Sequence, residues 1–295
     1  MKMMGDPDCD FLAVSAAEGV PIGVDVELPR TPAVFEEKND GNFESAGRHL
    51  EDIRRQIVED VTAGAAVRMS VAAAKRKYGS RLTISCLGAV LKEPGSEVVR
   101  ILFDGTNGVH TNDRIRVRNR AHCPMIEDLE AQLRELEDAG GGEQHFVVVY
   151  DISKAHRLGP VREADWALQT FRLTGRPKDS VEGSMYSCGT FGGTSAAHWW
   201  ARVSAAMVRL LHCGLGPLWA LWHLLFAEDG LAITRGSKCR ESFRLMFLIL
   251  ETYGFPGPWH KVRAGTRIEW VGYQLEVSSF EGGTATGIVS GGCHG

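Results

Sequence analysis

The sequence lacks several signatures that would assign it quickly to a class. No two cysteines stand in CxxC spacing, because Cys9, Cys86, Cys123, Cys188, Cys213, Cys239 and Cys293 are scattered and odd in number. That excludes a zinc site built on CxxC pairs and argues against a disulfide framework, so reduced thiols in an intracellular protein are expected. The N-terminal MKMMGDPDCD is acidic and has no apolar run, so no signal peptide is expected. No uninterrupted hydrophobic run is long enough to span a bilayer. Residues 210–227 carry no Asp, Glu, Lys or Arg, but His212, Gly214, Gly216, Pro217 and His223 interrupt them. A helix end, a turn and a buried strand are expected there, and no membrane partner. Internal repeats, HxH or HxD clusters and strict βαβ alternation are also absent.

The sequence has no net positive charge either. The 295 residues carry a formal charge of −4, which weighs weakly against a nucleic-acid partner. Its distribution says more. Residues 1–60 hold 14 Asp or Glu against 6 Lys or Arg, a net of −8, whereas residues 61–125 hold 11 Lys or Arg against 4 Asp or Glu, a net of +7. An acidic arm thus precedes a basic block. The block reads as a phosphate-facing surface or as an ordinary solvated face. With 44% hydrophobic residues, the chain has enough apolar side chains for a real core in one large or two small domains.

Residues 1–45 show little periodicity and are expected to be irregular. Leu50, Ile53, Ile57 and Val61 are spaced for one face of a helix over 46–63, and SVAAAKRKYG predicts a second helix ending at Gly79. The β-like runs 82–92 and 97–104 flank Glu93-Pro94-Gly95-Ser96, which suits a type II turn, and this hairpin would carry Lys92 near its tip and Arg100 on the return. Ile126, Leu129, Leu133 and Leu136 predict a helix over 126–139, stopped by Gly140-Gly141-Gly142. HFVVVYD (145–151) reads as a buried strand ending in Asp151. A helix over 162–173, a β-like run near 184–191 and a helix capped by Thr194 or Ser195 follow. Strand 218–227 would return through Leu231–Thr234, with Glu228, Asp229 and Gly230 as a tight turn. An apolar helix over 239–253 comes next, then two strands bracketing Ala264-Gly265 and ending in WVGYQLEV (270–277). The final 281–295 segment is Gly-rich and unpatterned, and a disordered tail is expected.

This order of elements predicts an α+β fold, a sheet with helices on one face. Two strand ends supply Asp151, Glu228 and Asp229. On neighbouring strands they would converge, and three oxygen donors suit a hard cation such as Mg²⁺. Two such cations serve phosphoryl transfer. A single carboxylate at a strand end is otherwise an ordinary turn or cap.

Six ordered segments resemble one family. LGAVLKEPGSEVVRILFDGTNGVHTN (87–112), YDISKAHR (150–157), TFGGTSAAHWW (190–200), FAEDG (226–230), ETYGFPGPWHKV (251–262) and WVGYQL (270–275) resemble, in sequence and spacing, the fingers and palm of retroelement reverse transcriptases. The resemblance covers about residues 70–277. It implies a right-hand polymerase palm within 146–280 and a fingers-like region over 61–145, which follow the acidic arm with a helix that the charge pattern places over 1–60. It also implies RNA-directed DNA synthesis from dNTPs on an RNA or DNA primer-template, with two Mg²⁺ or Mn²⁺ ions. The oligomeric state is left open, as is the choice between nucleus and cytoplasm.

The resemblance gives roles to particular residues. Asp151, Glu228 and Asp229 match the metal-binding carboxylates, with Glu228 and Asp229 in the aromatic–x–Asp–Asp turn. Lys92 and Arg100 match residues that hold the triphosphate, as charge-assisted bonding to a polyanion requires. Gly192, after Phe191, matches the glycine that lets backbone approach the nucleotide. Lys261 matches a lysine near the pyrophosphate leaving group, a candidate general acid. Trp270, Gly272 and Tyr273 fall in the primer-gripping hairpin.

Three departures stand out. Glu228 replaces an aspartate, and its extra methylene moves the carboxylate by roughly 1.5 Å. Mg²⁺ demands ligands at about 2.0–2.1 Å in strict geometry, and a misplacement of about 1 Å can cost on the order of 100-fold. His156 stands where the family has a bulky aromatic beside the ribose. After residue 277 there is no room for a thumb or RNase H domain, so a truncated copy of an element is expected. A catalytically inactive remnant that at most binds nucleic acid is therefore the alternative reading. An unrelated metal phosphohydrolase would bring further ligands near Asp151, which the sequence does not offer.

Overall fold

The computed structural model describes residues 5–28, 41–92, 95–96, 98–119, 122–140, 144–173, 182–219, 221–255, 257–277 and 290–291. In chain order the helices are α1 (Cys9–Glu18), α2 (Glu44–Arg48), α3 (Leu50–Thr62), α4 (Val71–Tyr78), α5 (Thr111–Arg114), α6 (Ile126–Gly140), α7 (Thr194–Trp219) and α8 (Cys239–Thr252). The strands are β1 (Ala66–Ser70), β2 (Ile84–Leu91), β3 (Val99–Asp104), β4 (His145–Asp151), β5 (Thr170–Arg172) and β6 (Glu182–Tyr186). They continue with β7 (Leu221–Phe226), β8 (Asp229–Arg235), β9 (Arg263–Gly265), β10 (Arg267–Trp270), β11 (Tyr273–Glu276) and β12 (Ser290–Gly291). The chain forms two compact units, each drawn from separate stretches. The first comprises Pro7–Arg120 and His156–Trp200, the second Met1–Asp6, Ala121–Ala155 and Ala201–Gly295.

The first unit is built on a five-stranded sheet in the order β1-β6-β5-β2-β3. The helical stripe expected at 46–63 forms on α3, although a break at His49 divides the expected single helix into α2 and α3. Ile53 and Ile57 are buried against Leu87, Phe103, Phe171 and Tyr186, and Leu50 and Val61 pack at the edge of this core. Helix α4 starts where Ser70 Oγ accepts the Ala73 N–H at 3.2 Å. It stops at Gly79, whose φ of 55° few side chains tolerate. The hairpin of β2 and β3 forms as expected, with Val90 opposite Arg100. Glu93 and Pro94 of its expected turn lie outside the described residues.

Two expectations for this unit need correction. Residues 9–18, expected to be irregular, form α1. The segment lacks a clear amphipathic stripe, and its Phe11 ring stacks on distant Trp199 at 5.0 Å, a tertiary contact that no local pattern announces. The helix expected over 162–173 is a 3₁₀ segment, Glu163–Gln169, followed by β5. Strand pairing overrides helical propensity there, because β5 lies between β2 and β6.

The N-terminal segment is tied down by one carboxylate. Asp165, 1% exposed, accepts the Ile22 N–H at 2.9 Å, Arg81 at 2.6 Å and Arg162 at 2.8 Å. A buried charge persists when it is paired and hydrogen-bonded on several sides.

The second unit holds a four-stranded sheet in the order β7-β8-β4-β9 and a separate small sheet, β10-β11-β12. Strand β4 is antiparallel to both β8 and β9. Leu129 and Leu136 of α6 pack with Val147, Val149, Leu231 and Ile233. Strand alternation turns Tyr150 to the opposite face, where its ring meets Phe247 of α8 with centroids 5.6 Å apart. Helical side chains therefore cover both faces, not one as expected.

Local details of this unit also differ from expectation. Helix α7 runs through Gly214, Gly216 and Pro217 to Trp219, past the helix end expected within 210–227. Among the described residues no helix is long and apolar enough to cross a membrane. Ala264 and Gly265 lie inside β9 rather than between strands. The expected tail lies outside the described residues except for Ser290 and Gly291, which pair with Gln274 and Tyr273.

Candidate active site

Strand β4 carries Asp151 to its C-terminal end, and register decides its neighbours. Asp151 is the direct cross-strand partner of Asp229, the first residue of β8. Directly opposed residues in a sheet share a face, with Cβ atoms about 4.5–5.5 Å apart, and like charges so placed repel. The effect shows on Asp229. Partial burial first, then the charges of Glu228 and Asp151, push its carboxyl above the usual aspartate range, while Lys261 and Arg263 pull the other way.

The turn differs from the one expected. Phe226 pairs with Asp229, so the two turn residues are Ala227 and Glu228. Ala227 takes a φ of 51°, a left-handed conformation uncommon for alanine. The Glu228 carbonyl accepts the Ile152 N–H at 3.0 Å, extending the ladder past Asp151. Gly230 is a strand residue opposite Tyr150, and a Cβ there would lie 2.3 Å from the Tyr150 ring. The glycine of FAEDG is thus required by a ring on the neighbouring strand, and not by the turn.

Tyr150 anchors this corner from within. Its hydroxyl lies 2.5 Å from Nε2 of buried His223. Burial, with a smaller contribution from His212, lowers His223 to about 3, so the imidazole is neutral. Burial also pushes the Tyr150 hydroxyl above the usual tyrosine range. The sequence reading singled out neither residue for a role. The only available signal was the adjacency of Tyr150 to Asp151.

On the other side of β4, Lys261 pairs its ammonium with Asp151 Oδ2. The 3₁₀ turn Trp259–Lys261 presents it, just before β9. Trp270, expected at a primer contact, is 4% exposed and belongs to the hydrophobic core of this unit. Its indole N–H donates to the Asp229 carbonyl at 3.2 Å, so it supports the carboxylate hairpin and offers little surface to a nucleic acid. Val271 and Gly272, with φ of 49° and 80°, form the two-residue turn between β10 and β11, and Tyr273 begins the return. Positive φ at both positions is the mark of a tight hairpin turn.

The resemblance implies a divalent cation here. The donor chemistry fits it in part. Asp151, Glu228 and Asp229 offer only oxygen, as hard cations prefer, and Asp151 and Asp229 stand side by side. Among the described residues, however, no group of three His, Cys, Asp or Glu side chains is arranged to hold a metal ion. The fit therefore extends to the Asp151–Asp229 pair and is not completed by Glu228.

The remaining candidate residues belong to the first unit. Strand alternation puts Lys92, just past β2, on the same face as Val90 and its partner Arg100. The Arg100 guanidinium lies 5.0 Å over the Phe191 ring, which is 43% exposed. The His156 ring lies 6.5 Å from Phe191. Gly192 was expected to make room for a nucleotide, yet a Cβ there would lie 2.1 Å from the Phe103 carbonyl oxygen. The glycine is required by the protein's own β3. Asn112 organises this corner, donating to the Gly192 carbonyl at 2.9 Å and accepting the Thr194 N–H at 3.0 Å. The first N–H of α7 is thus capped by Asn112, a residue distant in sequence, where Thr194 or Ser195 was expected.

No family model matches the chain, and no curated protein matches it. Among solved structures it is similar to a foamy viral protease-reverse transcriptase in complex with double-stranded DNA. The two are 13% identical with a TM-score of 0.60, and the match covers 88% of this chain and 38% of that one. The chain thus spans well under half the length of that protein. Its mixed helix-and-sheet fold is reverse-transcriptase-like. At this identity the likeness speaks for the fold alone.

Proposed function

We propose that the chain is a reverse transcriptase-like nucleotidyltransferase that extends a nucleic-acid primer on an RNA or DNA template, with fingers and palm elements. The observation that carries this reading is the Asp151–Asp229 pair, opposed across adjacent strands at a sheet end within a reverse-transcriptase-like fold. In the reaction the primer 3′-oxygen attacks the α-phosphorus of a dNTP. An oxygen–phosphorus bond forms as the bond to the bridging oxygen of the departing pyrophosphate breaks. The 3′-hydroxyl gives its proton to solvent water, and the pyrophosphate accepts one.

Asp151 and Asp229 are the residues that would hold Mg²⁺ or Mn²⁺, and Glu228 stands beside them in the turn. When bound, such ions neutralise the charge that develops on the transferring group. Lys261 supplies the proton to the leaving group. Lys92 and Arg100 bind the triphosphate through charge-assisted hydrogen bonds. His156 and Phe191 line the sugar, and Gly272 and Tyr273 meet the primer.

The test is primer extension on an RNA template with dNTPs, in Mg²⁺ and then Mn²⁺. The parent chain is compared with Asp151→Ala and Glu228→Asp. Extension by the parent is expected to vanish in Asp151→Ala and to rise in Glu228→Asp, by up to on the order of 100-fold. Extension by Glu228→Asp alone would identify a scaffold silenced at one residue. Silence in all three folded proteins would overturn the reading in favour of a remnant that does not catalyse.

A further inference from the structure

We propose that Cys86 is a site of covalent thiol modification, its sulfur held as an anion by the buried guanidinium of Arg172 and open to small electrophiles such as hydrogen peroxide. The inference belongs to the first unit and does not depend on the catalytic reading.

Sheet register brings the two side chains together. Strands β2 and β5 run parallel, with Ile84 beside Thr170 and Ser85 beside Phe171. One step further sets Cys86 level with Arg172 on the same face. Phe171 and Leu87 turn to the opposite face, into the core shared with Ile53 and Ile57. Asn42 fixes the backbone here, donating its amide to the Arg172 carbonyl at 2.8 Å and the Leu173 carbonyl at 3.2 Å.

Arg172 lacks what a buried arginine needs. It is 3% exposed, and its Nη1 is buried with no hydrogen-bond partner among the described residues. A cation so placed calls for an anion beside it. Burial lowers the Arg172 guanidinium below the usual arginine range, and the charge of Cys86 pushes it back up. The unanswered guanidinium thus meets a sulfur able to carry the missing charge. Cysteine becomes reactive as its thiolate, and a neighbouring arginine favours that form.

The other charged groups around Cys86 leave this role to Arg172. Asp104 of β3 stands directly opposite Cys86 and opposes a second negative charge. Its carboxylate is taken up by the following turn, accepting the Thr106 N–H at 2.9 Å, the Asn107 N–H at 3.0 Å and the Asn107 amide at 2.6 Å. Arg100 lies four residues back along β3 and stacks on Phe191. Glu44 of α2 pairs with Arg48 at 2.6 Å. Helix α4, packed with Ile84, brings cations alone in its last turn, Lys75, Arg76 and Lys77. Cys86 is 8% exposed, and its face neighbours Leu102 and Asp104 are half-buried, so the sulfur lies at the margin of the more open face of the sheet.

In the modification the sulfur attacks one oxygen of hydrogen peroxide. A sulfur–oxygen bond forms as the oxygen–oxygen bond breaks, and the departing hydroxide takes a proton from the buffer to become water. The sulfur is oxidised by two electrons to a sulfenic acid, and the peroxide is reduced.

The test is alkylation of the folded full chain by iodoacetamide at pH 6.5 and 8.5, read at each cysteine by mass spectrometry. The ratio of the two rates at one cysteine cancels its accessibility. Exposed Cys123 and Cys213 serve as ordinary thiols and should react about 50-fold faster at pH 8.5. The rate at Cys86 is expected to change by less than about threefold. In Arg172→Met its ratio should rise to the ordinary value, and in Arg172→Lys it should stay flat. Hydrogen peroxide followed by dimedone should label Cys86 in the parent and not in Arg172→Met. A steep ratio at Cys86 in the parent, no alkylation of Cys86 at either pH, or a flat ratio that survives Arg172→Met would each overturn the inference. If Arg172→Met fails to fold, the ratio in the parent decides.

Discussion

Asp165 in the first unit and Asp229 in the second show two ways a fold can treat a carboxylate. Asp165 is buried, yet it meets two arginines and a backbone N–H, so its charge is satisfied from several sides. Asp229 reaches solvent, yet burial of its carboxyl and the charges of Glu228 and Asp151 oppose its ionisation. The more deeply buried acid is the more comfortable one. Depth alone therefore does not tell a satisfied carboxylate from an opposed one; the sign of its neighbours does. His223 is a third case, buried beside Tyr150 and kept neutral instead of being paired with a charge.

The sharpest way to break this contrast is to remove Asp165. Asp165→Ala leaves Arg81 and Arg162 without their shared partner and should cost about 3–5 kcal/mol, as losing one side of a buried ion pair does. Urea denaturation measures it, and limited proteolysis should show the segment around Ile22 released. A loss below about 1 kcal/mol would mean that Asp165 is no anchor.

His223 should govern the acid limb of stability. Its folded-state value lies below the unfolded one, so its contribution is fully present above about pH 6.5 and is lost as pH falls toward 3. One proton taken up on unfolding gives a slope of up to about 1.4 kcal/mol per pH unit. Denaturation midpoints between pH 7 and 4 should fall less steeply in His223→Gln than in the parent.

Asp229→Asn should act in the opposite sense to Asp165→Ala. Removing a charge opposed by Asp151 should stabilise the fold by about 0.2–1 kcal/mol near pH 7, even as it removes extension activity. Because the Asp229 carboxyl is raised, the repulsion is present above its folded-state value and disappears as pH falls through it. Melting temperatures of parent and variant should therefore converge in acid. A destabilised variant at pH 7 would show that the hairpin depends on this charge.

An effect of similar size concerns the turn between β10 and β11. Val271 is β-branched at a φ of 49°, which costs more than for Asn. Val271→Asn should raise stability by about 0.5–1 kcal/mol in thermal denaturation. No gain would mean that the turn is relaxed despite its conformation.

Parts of this molecule were legible in one dimension for plain reasons. The run HFVVVYD has no polar alternation, and it forms the central strand β4. Ile53 and Ile57 repeat at helical spacing, and they face the core. The hairpin that carries Glu228 and Asp229 was legible because two apolar runs flank it, although its turn was displaced by one residue. Helix α1 was missed because its stabilising partner, Trp199, lies far along the chain. Segment 162–173 was misread because pairing with β2 and β6 outweighs its local preference.

The sequence by itself determined most local elements, α1 and segment 162–173 apart, and the residues able to carry charge at strand ends, because hydrophobic period and turn chemistry act over a few neighbours. Only the tertiary structure decided which residues meet. It grouped 121–155 with 201–295 in one unit. It set Asp229 and Lys261 on opposite flanks of Asp151, filled the space above Gly230 with the Tyr150 ring, and brought the Phe103 carbonyl against Gly192. Those meetings depend on strand register and close packing between distant segments, where a shift of one residue would turn each side chain to the other face.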